Sequence, residues 1–518
     1  MSAQEILLVV LVLGLFLGIL SGIPAMLAIA GVPLALALVA GQFGLFPLNF
    51  LANFPARVWG VMTNTLLMAV PLFVLMGVFL ERARLAESML RVLSRLLGGS
   101  ASGMGLAVLA FSAIIAASTG IIGATVVMLV LIALTPMLQA GIPQRQAAGL
   151  ICASGTLGQI IPPSILLVLL GDQIGNTYLE AQQRRGNFAP EPVSVADLFA
   201  GALVPGLVLV GLYALWLMLT LRRHRPRTPT PREKVAVTEV VFTFLPPVLL
   251  ILAVLGSILG GIATATEAAG LGAVGAGLMA AFAQRGAEGG RAGWERALIA
   301  AAGLAAFALV ALRIAGLGRA ALDTPAGMVA ALAAGLIALG VLVALARLAR
   351  GALLSGALTE TIRISGMVFG IVIAASMLAL VFRGFGGEHA VAHLLGTLPG
   401  GETGALVAVM LLVFLLGFIL EAVEIIYIVV PLLGPVVLAG DLSPVWFAVL
   451  MAMNLQTSFL TPPFGFALFY FRSVAPAGIT TLDIYRGVAP YVAIQILALA
   501  LVMGFPALAT WLPQRMFN

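Results

Sequence analysis

Long apolar stretches recur along the whole sequence, and they constrain the fold of this chain more than any other feature. A helix needs about 20 apolar residues to cross about 30 Å of hydrocarbon. Of the 518 residues, 62% are hydrophobic and only 9% are charged, whereas soluble domains carry about a quarter charged residues. The stretches are continuous, while the strands of a membrane barrel alternate between apolar and polar residues. The sequence therefore predicts an all-α polytopic membrane protein whose surface faces a lipid bilayer.

Charge and the rare residue types exclude several other classes of protein. The net charge of +6 is concentrated in one tract, which indicates membrane topology rather than nucleic-acid binding. Cys152 is the only cysteine and there are three histidines, so neither a disulfide framework nor a Cys/His metal centre is expected. Lys234 is the only lysine, which removes a Ser–Lys pair, and we expect no enzyme activity and no cofactor. The chain also lacks a G-x-x-x-x-G-K-[ST] loop, so an ion gradient or a separate subunit must drive any transport.

A short basic tract divides the chain into two halves. Residues 222–236 hold five arginines and Lys234 against a single acid, Glu233. Three prolines in the tract favour an extended linker over a helix. Because cytoplasmic loops carry an excess of Arg and Lys, the linker is predicted to be cytoplasmic. The predicted organisation is a first repeat at 1–221, this linker, and a second repeat at 237–518.

Two proline pairs mark equivalent points in the two halves. Pro162-Pro163 and Pro462-Pro463 lie 300 residues apart (462 − 162). Around them, each half repeats one plan of two spans, a hairpin, a long span, a broken segment and a final span. The plan predicts five crossings per half, an odd number that inverts the second half relative to the first. Inverted repeats with broken helices at matching places are typical of secondary transporters.

The predicted elements are bounded by the apolar stretches themselves. In the first half they are 5–20, 23–41, the hairpin 61–98, the long span 103–140, the broken segment 144–171, a polar loop 172–196 and the span 197–221. In the second half they are 237–260, 262–284, the hairpin 353–398, the long span 403–440, the broken segment 444–475 and the span 481–510. An insertion at 285–350 adds two spans, 297–316 and 325–349, and this even number retains the inversion.

The two proline breaks are the strongest candidate binding sites. Residues 153–164 and 454–465 place hydroxyl and amide side chains beside each proline pair. Proline leaves backbone carbonyls without a partner in the helix, and in lipid such groups must be satisfied in another way. Carbonyl and hydroxyl oxygens suit a small alkali cation, and the N-terminus of a half-helix suits an anionic group. A kink between packed helices would explain one such break, but matching breaks in two halves favour a site.

Two further stretches place polar residues inside predicted long spans. Residues 117–125 combine small side chains with hydroxyls, a composition that close helix packing would also explain. The corresponding stretch of the second half contains Glu421 and Glu424, three residues apart and therefore on one helical face. A carboxylate within a membrane is costly and indicates function, although snorkelling at an interface is the alternative.

Arg383 is the candidate partner for a substrate carboxylate. It ends an apolar run and precedes Gly384-Phe385-Gly386-Gly387, which indicates an unwound hairpin tip. A guanidinium there could hold a carboxylate through two hydrogen bonds. An interfacial anchor, or a salt bridge to one of the two glutamates, explains Arg383 equally well.

These motifs resemble the large membrane subunit of tripartite ATP-independent periplasmic (TRAP) transporters. The resemblance runs from about residue 5 to 510 except for the insertion, and it is most specific at ASGTLGQIIPPS (153–164) and NLQTSFLTPPFGFALF (454–469). It implies an elevator-type, sodium-coupled importer in the bacterial inner membrane. It also implies two partners, a small four-helix membrane subunit and a periplasmic binding protein that delivers a small organic acid. A stand-alone sodium-coupled carboxylate symporter, without a binding protein, is the alternative.

The resemblance and the motifs together assign candidate site residues. The predicted substrate ligands are Ser118, Ser154, Ser164 and Arg383. The predicted ligands for sodium, the only metal expected, are Thr119, Gly120, Gly155, Thr156, Glu421, Thr457, Ser458 and Thr461. Glu421 departs from the family, in which aspartate is more usual at this point.

Overall fold

The computed structural model describes residues 3–83, 85–97, 100–120, 122–222, 224, 236–284, 292–314 and 324–517, with the side chains of 86, 116–119, 292, 311–314 and 326 excepted. These residues form 22 α-helices, three short 3-10 helices and no strand. Ten helices in this part are long and apolar enough to cross a membrane, or up to 12 if each of two bent pairs is one span. The prediction of an all-α polytopic membrane protein is confirmed.

The helices follow one another in two series on either side of the basic tract. The first is α1 (Ala3–Leu20), α2 (Ala25–Gln42), α3 (Phe54–Thr63), α4 (Ala69–Arg82), α5 (Leu85–Leu97), α6 (Ala101–Thr119), α7 (Ile122–Gln139), α8 (Gln144–Thr156), α9 (Ile165–Arg184) and α10 (Val195–Leu221). The second is α11 (Val237–Leu259), α12 (Ala265–Ala283), α13 (Ala292–Ile314), α14 (Pro325–Arg350), α15 (Leu353–Gly384), α16 (Gly387–Gly396), α17 (Gly401–Leu416), α18 (Ala422–Val437), α19 (Pro444–Leu460), α20 (Phe466–Val474), α21 (Thr481–Gly504) and α22 (Ala507–Phe517). The 3-10 helices cover Leu48–Asn53, Leu66–Met68 and Leu157–Gln159.

Each predicted long span is two helices, which corrects the prediction. The stretch 103–140 is divided into α6 and α7 at Gly120, whose φ of +60° lies in the left-handed region that favours glycine and ends helices. The stretch 403–440 is likewise divided, because α17 ends at Leu416 and α18 begins at Ala422. The polar stretch 117–125 and Glu421 lie at these breaks, but a polar residue in an apolar stretch does not by itself show where backbone hydrogen bonds stop.

The predicted hairpins at 61–98 and 353–398 are also corrected. In the first half α5 packs along α6 rather than along α4. In the second half α15 runs for 32 residues without a break, and the sharp bend of 117° lies between α16 and α17. Arg383 therefore lies in the last turn of a helix, not at an unwound tip.

Three other expectations concern the connections. The prediction of a polar loop at 172–196 is wrong for residues 172–184, because α9 continues through them to Arg184. The two helices expected in the insertion 285–350 are present as α13 and α14, and Glu295 of α13 pairs with Arg347 of α14 at 3.3 Å. Of the predicted basic linker 222–236, all but Arg222, His224 and Ala236 lies outside the described residues.

Two helices occupy the centre of the bundle and end at the proline pairs. Every residue of α8 from 147 to 156 and of α19 from 447 to 460 is buried. A helix that is enclosed on all sides can tolerate polar side chains only if neighbouring helices satisfy them. Both enclosed helices end in polar residues, so the core of this bundle is polar at the points where its helices stop.

The enclosed helix α8 approaches α21 at backbone distance. A Cβ atom added to Gly149 of α8 would lie 2.0 Å from the carbonyl oxygen of Gly487 in α21. A Cβ atom added to Gly487 would lie 2.0 Å from the carbonyl oxygen of Arg145. Small residues allow such close packing of membrane helices. This contact positions the polar end of α8.

Candidate functional site

All four helix breaks open onto one cavity at the centre of the bundle, of about 130 Å³. Gly120 lines it from the α6–α7 break, and Gln159 lines it from the α8–α9 break. Glu421 lines it from the α17–α18 break, and Phe459 and Phe466 line it from the α19–α20 break. We call this space the central cavity. Because breaks from both halves meet there, it is the candidate transport site.

The charge of the central cavity comes from one acidic residue in its wall. Glu421 is the only charged residue among the described residues that line it, and the rest of the wall is largely apolar. Glu421 directly precedes α18, and its backbone N–H donates to the carboxylate of Glu424 at 3.2 Å. Negative charge at a helix N-terminus is favourable, and this contact anchors Glu424, which does not line the cavity. The two glutamates therefore cap a helix rather than share a face within one.

The predicted residues of the first proline break lie in the last turn of α8 and are fully buried. The Ser154 hydroxyl has no hydrogen-bond partner among the described residues, although Ser154 is 0% exposed. The Thr156 hydroxyl donates to the Ala153 carbonyl at 2.9 Å and accepts from the Gln495 amide at 3.2 Å. Gly155 packs against Val126, because an added Cβ would lie 2.3 Å from that side chain. Of the three, only Ser154 has a hydroxyl without a partner in the described chain, and none of the three is among the described residues that line the central cavity.

The predicted residues of the second proline break lie at the end of α19. Each hydroxyl donates to a carbonyl one turn earlier, from Thr457 to Met453 at 2.7 Å, from Ser458 to Leu455 at 2.8 Å and from Thr461 to Thr457 at 2.7 Å. These bonds use the hydroxyl protons and leave oxygen lone pairs for a cation. A Cβ atom on Gly417 would lie 2.0 Å from the Ser458 hydroxyl, so this turn packs directly against the α17–α18 break.

The remaining predicted residues divide between two places. Ser118 and Thr119 end α6, and their side chains lie outside the described residues. Ser164 precedes α9, is fully buried, and donates to the Gln159 carbonyl at 3.3 Å. The first proline break and Gly120 are in contact, because a Cβ on Gly120 would lie 3.3 Å from the Ile165 side chain.

Arg383 lies at a second cavity, of about 300 Å³, which we call the vestibule. Arg57, Asp172, Glu180 and Arg383 are the charged residues of its wall. Asp172 is 9% exposed and accepts hydrogen bonds from the Asn64 amide at 2.8 Å, the Asn176 amide at 3.4 Å and the Tyr427 hydroxyl at 3.3 Å. Sequence reasoning missed the vestibule, because Asp172, Asn176 and Glu180 had been placed in a loop instead of on a polar face of α9.

Arg383 belongs to a closed ring of four ion contacts at the vestibule. Arg383 and Arg184 each contact both Glu180 and Glu388, and all four contacts are 2.7 Å long. The ring joins α9 to α15 and α16. Arg383 therefore forms a salt bridge, which was one alternative to its predicted role as a substrate ligand, but its partners are Glu180 and Glu388 rather than Glu421 or Glu424. The guanidinium of Arg383 is thus bound by two carboxylates of the protein itself.

The Arg383→Gln substitution is expected to destabilise the chain by about 1 kcal/mol, more than Arg184→Gln. The two arginines have the same partners, but Arg383 is 26% exposed and Arg184 is 48% exposed, so water replaces the lost contacts better at Arg184. Thermal unfolding of the purified chain measures the difference. Arg363→Gln is the control, because exposed Arg363 has no ion pair within the described part of the chain. Equal losses for Arg184→Gln and Arg383→Gln would show that burial does not strengthen the ring.

Comparison with known proteins identifies the family. The profile of the "Tripartite ATP-independent periplasmic transporter, DctM component" matches residues 6–293 and 290–508. The chain belongs to this family. The resemblance inferred from the proline motifs is confirmed, and the chain is a multi-pass protein of the inner membrane.

Individual relatives have names that agree with this family, and one solved structure shares the fold. The C4-dicarboxylate TRAP transporter large permease protein DctM of Vibrio cholerae is 26% identical over 450 residues, covering 86% of this chain and 85% of the relative. The ectoine TRAP transporter large permease protein TeaC of Halomonas elongata is 23% identical over 506 residues, covering 96% and 97%. The YdaH transporter of Alcanivorax borkumensis has a similar fold, with a TM-score of 0.51 and 15% identity over 89% of this chain and 87% of YdaH.

Proposed function

We propose that this DctM chain is the permease subunit of a complex that imports a small organic acid and is driven by an inward sodium gradient. The observation that carries the proposal is the meeting of four helix breaks, two from each half, at the central cavity. Broken helices at a bundle centre are the usual place for substrate and coupling ions in secondary transporters.

The charge of the central cavity supports sodium coupling. Among the described residues, Glu421 is the only charged residue of its wall, and no Arg or Lys lines it. An organic anion brought to this cavity would face that carboxylate without a basic partner. Sodium ions at Ser154 and at the end of α19 would supply the missing positive charge. The anion and sodium would then enter together because neither alone balances the charge.

The names of the relatives support an acid as the solute. They include transporters of C4-dicarboxylates, isethionate, sialic acid and ectoine. All of these solutes carry an acidic group, although their sizes and net charges differ. We therefore propose an organic acid as the substrate class.

The proposal includes two partners and an elevator-type movement. A small four-helix membrane subunit would pair with this chain, and a periplasmic binding protein would deliver the solute. The isethionate relative DctMQ is longer than this chain, which covers 65% of it. The packing of the four breaks around one cavity supports a movement in which the cavity travels as a unit across the membrane.

Uptake into proteoliposomes tests the proposal. The complete complex should accumulate a labelled organic acid only when the sodium gradient is directed inward. An inward potassium gradient should give only background uptake. Uptake that is independent of sodium would contradict the coupling. If this chain transports equally well without a binding protein, the stand-alone symporter is correct instead.

A further inference from the structure

The vestibule lies one helical turn from the central cavity. The same three helices line both spaces, with Leu169 and Asp172 on α9, Val368 and Val372 on α15, and Val423 and Tyr427 on α18. Each pair is three or four residues apart, which is about 5 Å along a helix. A solute in the vestibule would therefore be adjacent to the transport site.

The vestibule contains one arginine that the protein does not pair. Arg57 of α3 lines it and has no ion pair within 4 Å and no hydrogen bond among the described residues, although Arg383, Glu180 and Glu388 of the ring act on it electrostatically over a longer distance. The other basic side chain of its wall, Arg383, contacts Glu180 and Glu388 in the ring. The Gln173 amide of the wall is also without a partner in the described chain. Arg57 and Gln173 thus offer donors to something that is not part of the protein.

We propose that the vestibule is an anion-binding antechamber, in which Arg57 holds the carboxylate of a small monoanionic solute before it enters the central cavity. The inference rests on the proposed import of an organic acid and extends it to a second site. Arg57 presents a planar fork of donors that matches a carboxylate. The cavity volume of about 300 Å³ is large enough for a small organic acid.

The charges around Arg57 favour a monoanion over a dianion. The ring of two arginines and two glutamates is neutral as a unit. Asp172 remains as the uncompensated acid of the wall, and three donors keep its carboxylate in place. A second carboxylate on the solute would face Asp172, whereas a hydroxyl or ammonium group would be accepted there.

The position of the ring relative to the linker indicates where the antechamber opens. Helix α10 has 27 residues, about 40 Å, and separates the end of α9 from the linker at 222. With the linker cytoplasmic, as its charge predicts, the ring end of the vestibule faces the periplasm. A solute released by a binding protein would therefore reach Arg57 before the helix breaks.

A cysteine introduced at Gly60 reports on the charge of the antechamber. Gly60 lines the vestibule three residues after Arg57, and a Cβ atom there would meet nothing within 4 Å. The only native cysteine, Cys152, is fully buried, so it contributes little background. The measurement compares the rates at which anionic sulfonatoethyl and cationic trimethylammonioethyl methanethiosulfonate modify the Gly60→Cys variant of the full chain in detergent.

The ratio of the anionic to the cationic rate is expected to fall about tenfold when Arg57→Gln is added, since a nearby positive charge attracts one reagent and repels the other. Arg363→Gln is the matched control, because exposed Arg363 lies nine residues before Val372, the first vestibule residue of α15, which is about 14 Å along the helix. A ratio that Arg57→Gln leaves unchanged, or that Arg363→Gln lowers equally, would overturn the proposal.

Protection by probe solutes tests the preference for a monoanion. Potassium lactate is expected to slow modification of the Gly60→Cys variant by the anionic reagent at least threefold more than potassium succinate at equal ionic strength, and this protection should vanish with Arg57→Gln. Equal protection by the two salts, or none by lactate, would overturn the monoanion assignment. The assay uses no sodium gradient and no partner subunit, so a failure of sodium-driven uptake and a failure of this site give separate results.

Discussion

The Gly149→Val substitution is expected to destabilise the folded chain by more than about 3 kcal/mol and to abolish uptake. A Cβ atom at Gly149 would lie 2.0 Å from the carbonyl oxygen of Gly487, a backbone atom that cannot move without displacing α21. Because α21 also carries Gln495, which donates to Thr156, the displacement would disturb the polar end of α8. The thermal unfolding midpoint of the detergent-solubilised chain measures the loss.

Gly211→Val is the matched control for this prediction. Gly211 lies within α10, and a Cβ atom there would meet nothing within 4 Å, so the same side chain is added without a clash. Gly487→Val should reproduce the effect from the other helix, since its Cβ would lie 2.0 Å from the Arg145 carbonyl oxygen. If Gly149→Val unfolds at the same temperature as Gly211→Val, the close approach of α8 and α21 is not required for stability.

The second large effect is expected on sodium dependence. Ser154→Ala and Thr457→Ala should each raise the sodium concentration for half-maximal uptake about tenfold, since each removes one oxygen ligand worth about 1.4 kcal/mol. The loss at Ser154 should leave folding intact, because its buried hydroxyl has no hydrogen-bond partner in the described structure to lose. If the two residues serve separate ions, the double variant should still require only about tenfold more sodium, whereas additive losses at one shared ion would require about a hundredfold more. Uptake as a function of sodium concentration is the measurement.

Ser257→Ala controls for the loss of a buried hydroxyl. Ser257 lies in α11, is 5% exposed, and donates to the Val254 carbonyl at 2.8 Å, in a helix that does not line the central cavity. Its removal should leave the sodium dependence unchanged. Unchanged sodium dependence in both Ser154→Ala and Thr457→Ala would instead remove these hydroxyls from the cation sites.

Local sequence motifs predicted the features of the site that depend on residues close together in the chain. The proline pairs marked the breaks after α8 and α19, and the hydroxyl residues Ser154, Ser164, Thr457 and Ser458 are buried there. Glu421 was singled out as an acid in an apolar stretch, and it lines the central cavity. The Arg383 ion pair could not be assigned, because its partners Glu180 and Glu388 come from other parts of the chain. No sequence pattern indicated that Arg57 belongs to a site, since an arginine in a short amphipathic segment is common in membrane proteins.

The sequence by itself determined that this chain is a helical membrane protein and that its helices break at the two proline pairs, because apolar length and proline act locally along the backbone. Only the tertiary structure decided that the breaks of both halves meet at one cavity and that α6–α7 and α17–α18 are broken as well. It also decided which charges are neutralised, since the ring leaves Arg57 without a partner among the described residues. Pairing between distant charges depends on how helices pack, and no local pattern records that packing.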